Sequence, residues 1–397
     1  MPARIFITDP HRRVSGGHPW IFDSQVLRSE GEFEAGDVVE VIDVKKGPVG
    51  LGFINPKSLI RVRLLTRNMQ VQVDEGFIRH RIRAAWAHRQ RMGYTGSCRV
   101  VFGESDGLPA LIVDKFNDAD APGECVLSIQ TLALGMERWK EIIADELRAL
   151  FDPRGIYERN DVAIREKEGL AQHKGPLGPD FPMQLVINEN GLRMHVDIAT
   201  GQKTGHFLDQ VRNHAAIAPI AQDARVLDCF THTGGFALHA AHYGAREVLG
   251  LDISEEAVAL ATHNAQLNNI ADRCTFQAAN VFDFLTNASR NNKLWDVIVL
   301  DPPAFAKSKS ALENATRGYK EINLRALKCL HTGGFLVTCS CSFHMAPELF
   351  RKTIADAAAD AGKQLREVYT GSQPPDHPVL WGVPETHYLK CHILQVV

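Results

Sequence analysis

Two short motifs, each at the end of an apolar run, carry residue types that could do covalent chemistry. Asp301 ends the run Val297–Asp301 and precedes two prolines, while Cys339 and Cys341 lie at the end of the run Phe335–Cys339. An Asp-Pro-Pro turn after a strand presents backbone carbonyls and one carboxylate, which can hold the edge of a planar base. A thiolate nearby could add to carbon 6 of a pyrimidine and make carbon 5 nucleophilic toward a methyl donor.

The roles within this catalytic pair are open at the level of sequence. Strand alternation predicts that Cys339 and Cys341 face the same side of their strand, and both could equally be small apolar core residues. Asp301 is the candidate acid that protonates the ring nitrogen N3 of cytosine. Methylation of an exocyclic amino group would instead need only deprotonation and an aligned methyl donor, without a cysteine.

The predicted cofactor site follows two earlier strands. Arg225–Cys229 contains Asp228 and continues through Thr231–Gly235 into a helix, and Glu247–Asp252 ends in an acid 24 residues after Asp228. A dinucleotide would need a Gly-x-Gly-x-x-Gly turn, whereas this loop offers an acid and two adjacent glycines. An acid suits a cationic amino acid, and Asp252 lies where an acid binds ribose hydroxyls. These residues predict S-adenosylmethionine (SAM) as the cofactor.

Two other candidate sites fit their patterns poorly. Gly201–Gly205 resembles a phosphate-binding loop, but its upstream glycine is missing. A set of cysteines and histidines near the C-terminus lacks the Cys-x2-Cys spacing of structural zinc, so no metal site is predicted. That set is Cys339, Cys341, His344, Cys391 and His392.

Composition excludes several classes of protein. The 397 residues are 45% hydrophobic and 23% charged, which is typical of a globular protein with a core. No segment approaches the ~18 apolar residues of a membrane helix, and Met1–Arg13 shows no secretory signal. The eight scattered cysteines do not indicate a disulfide framework. We expect a soluble, cytoplasmic protein without a membrane partner.

One segment is strongly basic although the net charge is −3. Lys57–Arg91 contains nine Lys or Arg residues and two acidic ones. Such a cluster suits nucleic-acid phosphates, with a solvated helix face as the alternative. Arg79, Arg83 and Arg89 are the side chains that we expect to contact phosphate.

The distribution of apolar runs, glycines and prolines along the chain predicts three domains, 1–72, 73–188 and 189–397. The first has short apolar runs cut by Gly and Pro, which indicates a small β-barrel or sandwich. The second is mixed α+β and ends in a Gly- and Pro-rich linker at Gly175–Pro182. In the third, apolar strands alternate with helices, which predicts an α/β fold with a doubly wound, mostly parallel sheet.

Several elements of these domains are specific predictions. Helices are expected over Phe77–Met92 and Met136–Phe151. The strands expected in the third domain are Arg225–Cys229, Glu247–Asp252, Thr275–Ala278, Val297–Asp301 and Phe335–Cys339.

Seven segments together resemble the bacterial 23S ribosomal RNA (cytosine-C5) methyltransferases, which combine an N-terminal PUA domain, a central domain and a Rossmann-like, class I catalytic domain. The resemblance covers nearly the whole chain and implies that 23S ribosomal RNA is the partner. It leaves the oligomeric state open, including a homodimer. The segments are Gly17–Phe22, Gly103–Pro109, Tyr157–Val162, Lys203–Gln210, Cys229–Gly235, Asp301–Phe305 and Cys339–Ser342.

The resemblance implies specific roles. It makes Cys341 the nucleophile and gives Cys339 no role, places Asp252 at the ribose, and closes Phe207 and Asp209 over the cofactor. The full set of cofactor-binding residues that we predict is Phe207, Asp209, Gln210, Asp228, Phe230, Thr231, Gly234, Asp252, Ile253, Asn280, Val281 and Asp301.

Two positions depart from the family pattern. Asn280 replaces the acid that commonly faces adenine, which can reverse the polarity of that contact. Ala304 stands where some cytosine methyltransferases carry a second cysteine, so the C5 proton must leave to another base or to water. The alternatives are a guanine-N2 ribosomal RNA methyltransferase without covalent catalysis, and a catalytically inert RNA-binding protein.

Overall fold

The structure is a computed structural model that describes residues 2–306 and 308–397. The chain divides into two compact units, and the three predicted domain boundaries remain predictions. In the described ranges, no helix is both long and apolar enough to cross a membrane. The first unit contains the chain up to Asn188, Val196–Leu208 and Pro375–Thr386; the second contains Glu189–His195, Asp209–Pro374 and His387–Val397.

The first unit begins with a six-stranded sheet. Its strands are β1 (Arg4–Ile7), β2 (Trp20–Phe22), β3 (Val26–Glu30), β4 (Val38–Asp43), β5 (Gly47–Ile54) and β6 (Ile60–Thr66). They lie in the order β2-β6-β5-β4-β1-β3, with β1 parallel to β4. Alternating apolar residues, such as Val39 and Val41 of β4, face a core that includes Ile5 and Ile21.

A mixed α+β part follows in the same unit. Its five strands form a sheet in the order β11-β10-β9-β8-β7, and α1 and α3 contribute Ile82 and Leu147 to the core. The elements are α1 (Glu75–Arg91), β7 (Cys98–Phe102), β8 (Leu111–Asn117), β9 (Cys125–Thr131), α2 (Leu134–Glu137), α3 (Lys140–Phe151), β10 (Gly155–Asn160), α4 (Ile164–Lys167) and β11 (His173–Pro176).

Two predictions for this part are wrong in detail. The single helix expected over Met136–Phe151 is split into α2 and α3, because Trp139 has φ −97° and ψ 6° and interrupts the helical backbone. The expected linker Gly175–Pro182 begins inside β11, where Gly175 and Pro176 pair with β10. Since β11 is an edge strand, its proline costs the sheet no ladder hydrogen bond.

The remaining elements include a two-stranded sheet of β12 and β13 and a seven-stranded sheet. They are β12 (Gln184–Glu189), β13 (Leu192–Asp197), α5 (Val211–Ala216), α6 (Ala218–Ala221), β14 (Arg225–Cys229), α7 (Gly235–His242), β15 (Glu247–Asp252), α8 (Glu255–Leu267), β16 (Cys274–Ala278), α9 (Val281–Arg290), β17 (Trp295–Leu300), α10 (Leu312–Lys328), β18 (Leu330–Ser340), α11 (Pro347–Asp360), β19 (Leu365–Gly371) and β20 (Lys390–Val396).

The seven-stranded sheet of the second unit has the order β16-β15-β14-β17-β18-β20-β19. Strands β14 to β18 are parallel, which confirms the doubly wound prediction, whereas β20 runs antiparallel to both β18 and β19. From β14 the chain adds β15 and β16 on one side, and then returns to add β17 and β18 on the other side. The strand order therefore reverses between β14 and β17. Ligands of such sheets bind beyond the carboxyl ends of the strands at this reversal. The loops after β14, β15, β17 and β18 therefore define the site.

Candidate functional site: a cofactor crevice and an accessible thiol

Asp228, near the carboxyl end of β14, is the buried acid of the predicted cofactor loop. Its Oδ2 accepts hydrogen bonds from Thr231 Oγ1 at 2.6 Å and from the Ala237 amide at 3.0 Å. Its Oδ1 is buried and has no hydrogen-bond partner among the described residues. Burial is the main reason that the pKa of Asp228 rises to about 7, and the nearby Asp301 carboxylate adds to the rise.

The loop after Asp228 has an unusual backbone. Phe230, His232 and Gly234 have φ values of +66°, +49° and +92°, in the left-handed region. Asp252, at the end of β15, supports the loop because its Oδ2 accepts the His232 amide at 2.9 Å and its Oδ1 accepts the Ser254 amide at 3.0 Å. The two predicted acids thus belong to one hydrogen-bonded turn.

Three further predicted cofactor residues follow β15 and β16. Ile253 is 78% exposed, which is unusual for an isoleucine and leaves an apolar surface beside Asp252. The Asn280 carboxamide oxygen caps α9 by accepting the amides of Phe282 and Asp283. That use leaves the Asn280 NH2 as a donor. The Val281 side chain is buried in the core, so its backbone is what it can offer a ligand.

These features fit SAM. An unpartnered buried carboxylate oxygen at Asp228 suits the ammonium of a methionine moiety, since an ion pair offsets the cost of a buried charge. Asp252 lies at the next strand end for ribose hydroxyls, and the exposed Ile253 offers an apolar surface to a purine. Asp228, Asp252 and Ile253 are the residues that would hold SAM here, and their contacts with it stay a prediction.

A hydrogen-bond chain leads from Asp301 to Gln210 and Asn213. Gln210 Nε2 donates to Asp301 Oδ2 at 2.8 Å, and Asn213 Nδ2 donates to Gln210 Oε1 at 2.6 Å. Tyr388 donates to the buried Asp209 Oδ2 at 2.6 Å. Gln210 and Asp209 thus hydrogen-bond to neighbouring side chains, and the cofactor contact expected of both stays a prediction. Phe207 lies in the first unit, with Lys203 Nζ 4.6 Å from its ring centroid.

The two predicted thiols have different environments. Strand β18 ends at Ser340, so Cys341 lies beyond the strand and is half-buried, while Cys339 is fully buried within it. The expectation that both face one side of a strand is therefore wrong. Burial and the adjacent Cys391 hold the pKa of Cys339 well above its usual range. Cys339 is suited to packing, and Cys341 is the accessible thiol.

A buried cluster that the sequence analysis missed lies beside the cofactor loop. Glu189, His214 and His239 each place a potential metal-ligand atom within 4.8 Å of the others. The cluster also forms an internal network, because His214 Nδ1 hydrogen-bonds Glu189 and His239 Nε2 lies 3.1 Å from the Asn190 amide nitrogen. Burial opposes protonation of His214, but the Glu189 carboxylate outweighs it and raises the His214 pKa. Spacing along the chain shows no signal for this cluster, since the three residues come from separate elements.

The basic segment of the first unit is largely ion-paired. Arg89 is fully buried and pairs with Asp106, so its predicted phosphate contact is wrong. Arg79 and Arg83 both pair with the buried Glu146, Arg83 through a 2.6 Å Nε–Oε1 contact. Arg83 is nevertheless 60% exposed and keeps a surface for a phosphate.

Family models and solved structures agree with this fold. A PUA-like domain model matches residues 9–67, and an S-adenosylmethionine-dependent methyltransferase model matches residues 180–384. A solved structure described as a methyltransferase complexed with SAH is 19% identical, with a TM-score of 0.83 over 99% of this chain and 100% of that one. A second, described as a SAM-dependent methyltransferase from Streptococcus mutans, has 18% identity and a TM-score of 0.82 over the same shares. The fold and site thus define a SAM-dependent methyltransferase of class I fold with an N-terminal PUA-like domain.

Curated relatives define the family further. The Tolumonas auensis protein named ribosomal RNA large subunit methyltransferase I is 40% identical over 395 residues, which are 98% of each chain. The protein of the same name from Alteromonas mediterranea is 38% identical over 383 residues, covering 96% of this chain and 95% of the relative. The chain belongs to this ribosomal RNA large subunit methyltransferase I family.

Proposed function

We propose that the protein transfers a methyl group from SAM to carbon 5 of a specific cytosine in 23S ribosomal RNA. The observation that carries the proposal is the half-buried Cys341, just beyond the carboxyl end of β18, where the other cysteines are all buried. Methylation of an amino group needs no thiol at this place. The bacterial relatives are named ribosomal RNA large subunit methyltransferase I, which supports large-subunit ribosomal RNA as the substrate.

The proposed mechanism uses the chain's own groups around the cytosine. The Cys341 thiolate forms a bond to carbon 6, and the C5–C6 electron pair moves to carbon 5. Bound SAM supplies a methyl group on a positively charged sulfur, which carbon 5 accepts. Asp301 holds a proton at N3 while the ring is saturated. Loss of the C5 proton restores the double bond and expels the thiolate, and because residue 304 is alanine, that proton leaves to another base or to water.

The remaining parts of the chain suit substrate docking. We infer that the PUA-like domain and the exposed cations of the first unit bind RNA phosphates, which position the substrate without reading its sequence. The catalytic crevice then accepts an unstacked base. A ribosomal RNA substrate implies that the protein acts in the cytoplasm.

The test is a covalent trap. Fluorine at carbon 5 cannot leave as a cation, so RNA containing 5-fluorocytidine should retain the wild-type protein in a complex that survives denaturation. Cys341→Ala should form no adduct and show no turnover, yet still bind SAM, whereas the buried Cys339→Ala should still be trapped.

Other outcomes identify other functions. An adduct that persists in Cys341→Ala and disappears in Cys339→Ala would make Cys339 the nucleophile. Methylated RNA without any adduct, and without need of either thiol, would favour guanine-N2 methylation. Absence of methyl transfer to any ribosomal RNA would favour an inert RNA-binding protein.

A further inference from the structure

Lys390, the first residue of β20, is a buried lysine that the mechanism above does not use. The β18–β20 register sets it directly opposite Ser340, the residue before Cys341. Its side chain is only 4% exposed. Burying an ammonium group costs free energy unless an anion or several hydrogen bonds compensate it. The partners of Lys390 Nζ therefore indicate whether the group is charged and what it does.

The hydrogen-bond partners of Lys390 are two neutral carbonyls. Nζ donates to the Ser342 carbonyl at 2.6 Å and to the Tyr388 carbonyl at 2.8 Å. Among the described residues, no carboxylate hydrogen-bonds to Nζ or contributes to its pKa. Cys341, the residue next to Ser342, is the group whose negative charge would raise the Lys390 pKa.

The stereochemistry of an amine matches this arrangement. An uncharged lysine has two N–H donors and one lone pair, and two carbonyls occupy two tetrahedral positions of Nζ. The remaining position is available for a proton. Burial lowers the pKa of Lys390 to about 8, while Cys341 opposes that shift, so the amine can accept a proton near neutral pH.

We propose that Lys390 is a positioning residue that keeps Cys341 in its thiolate form, by accepting the thiol proton and holding the resulting ammonium beside the sulfur. The S–H bond breaks, an N–H bond forms, and no other atom changes. Through the Ser342 carbonyl, the same side chain fixes the backbone that follows the thiol. The proposal rests on the proposed role of Cys341 as nucleophile.

Two further titratable groups, Tyr319 and His387, interact electrostatically with Cys341 and Lys390, respectively. Tyr319 of α10 accepts a hydrogen bond from Ser340 Oγ at 3.0 Å, and its pKa is raised, mainly by burial. Burial, with a contribution from Lys390, lowers the pKa of His387. Neither group supplies an anion to Lys390 at neutral pH. Tyr388, whose carbonyl accepts a hydrogen bond from Lys390, donates its hydroxyl to Asp209, and Asp301 after β17 is held by Gln210.

The pH profile of Cys341 alkylation tests the proposal without RNA. Iodoacetamide should modify Cys341 in the folded wild-type protein, read by mass spectrometry, with Cys341→Ala as the blank because the other thiols are buried. We expect half-maximal reactivity at least about one pH unit below the usual thiol pKa of about 8.5. Lys390→Met should move the profile up by at least about one pH unit, a tenfold loss of rate at pH 7. Lys390→Arg, which keeps a cation, should retain part of the shift.

Lys363→Met is the matched control. Lys363 is also partly buried, its Nζ donates to the Leu330 carbonyl, and burial lowers its pKa. Its electrostatic neighbour is Cys329, so its loss should leave the Cys341 profile unchanged. If loss of a partly buried lysine only loosened the packing of the second unit, both Lys390→Met and Lys363→Met would shift the Cys341 profile.

The outcomes separate this inference from the proposed function. A wild-type Cys341 profile at or above the usual thiol pKa overturns the role of Lys390, even if Lys390 variants do not fold. Equal profiles in the wild type and a folded Lys390→Met also overturn it, whatever the fluorocytidine trap shows. A lowered profile in a wild-type protein that 5-fluorocytidine RNA does not trap leaves the Lys390–Cys341 pair in place and refutes cytosine-C5 methylation.

Discussion

At the scale of single residues, the candidate cofactor site holds one acid, Asp228, in an energetically costly position. Asp228 has one oxygen bound to the loop and the other buried without a partner in the described chain. The free protein carries an unfavourable charge there, which a cationic ligand can compensate. Strongly shifted acids of this kind are typical of functional sites because a purely structural role would satisfy both oxygens.

We predict that SAM affinity falls as the pH is lowered from 8 to 6. With a pKa of about 7, Asp228 is protonated below neutrality, and binding a cation must then release that proton. The loss should approach tenfold per pH unit at the acidic end. Asp228→Asn should bind at least about tenfold more weakly at pH 8 and lose this dependence, as measured by calorimetry.

The raised pKa of Asp228 also predicts how the Asp228→Asn substitution changes the free energy of unfolding. An acid whose folded pKa is raised binds its proton more tightly in the folded protein, so its destabilising contribution develops between about pH 4 and pH 7. Asp228→Asn should therefore raise the free energy of unfolding at pH 8 by roughly 1–3 kcal/mol. Asp296→Asn is the control, because Asp296 has a lowered pKa and titrates below this range. Equal effects of the two variants on SAM binding would contradict the assignment of Asp228.

At the scale of elements, the turn from β14 into α7 depends on left-handed backbone. Gly234 caps α7 with φ +92°, and its amide donates to the Thr231 carbonyl at 2.8 Å. A Cβ at this position would lie 3.0 Å from the Leu238 side chain. The glycine is thus required both by conformation and by the close approach of α7.

Gly234→Ala should lower the free energy of unfolding by roughly 1–2 kcal/mol and weaken SAM binding at least about tenfold. Gly333→Ala is the matched control, because Gly333 has φ +89° but a Cβ added there would meet no described atom within 4 Å. It should show the backbone cost in thermal unfolding while SAM affinity stays unchanged. Normal SAM affinity in a folded Gly234→Ala protein would refute the role of this turn.

At the scale of the whole molecule, some basic side chains stabilise the fold and others are exposed and available to RNA phosphates. Much of the basic segment stabilises the first unit internally, as the buried Arg89 shows. A buried cation whose partner is removed destabilises a protein, whereas an exposed cation that contacts phosphate changes the salt dependence of RNA binding. The two roles can therefore be measured separately.

The double variant Arg83→Ala/Arg91→Ala should reduce the slope of log affinity for 23S RNA fragments against log salt by about one unit per lost phosphate contact. Both side chains are exposed, but Arg83 also pairs with the buried Glu146, so a moderate fall in melting temperature should accompany the change in slope. Arg89→Ala should lower the melting temperature while the salt slope stays unchanged. Arg351→Ala, on the surface of the second unit, is the charge control. An unaltered slope in the double variant would identify the segment as a solvated face.

The sequence by itself determined the parallel strands and their functional ends. Uniformly apolar runs such as Arg225–Cys229 and Glu247–Asp252 carry their own signal, because a strand covered on both faces must be apolar throughout. Each run carries an acid at or near its carboxyl end, and the carboxyl ends of parallel strands lie at the same edge of a sheet. Asp228 and Asp252 are therefore predicted to line one crevice. The Gly- and Pro-rich turns similarly predict the N-terminal β domain.

The tertiary structure alone decided which of these groups are accessible and what faces them. Arg89 and Arg83 are alike in sequence, yet one is buried and one exposed, because packing against distant segments sets their burial. Cys341 differs from Cys339 because β18 ends between them. The pairing of Ser340 with Lys390 joins residues far apart in the chain. Local periodicity reports the face of an element that is buried, whereas the partner that covers it depends on strand order, which no local pattern encodes.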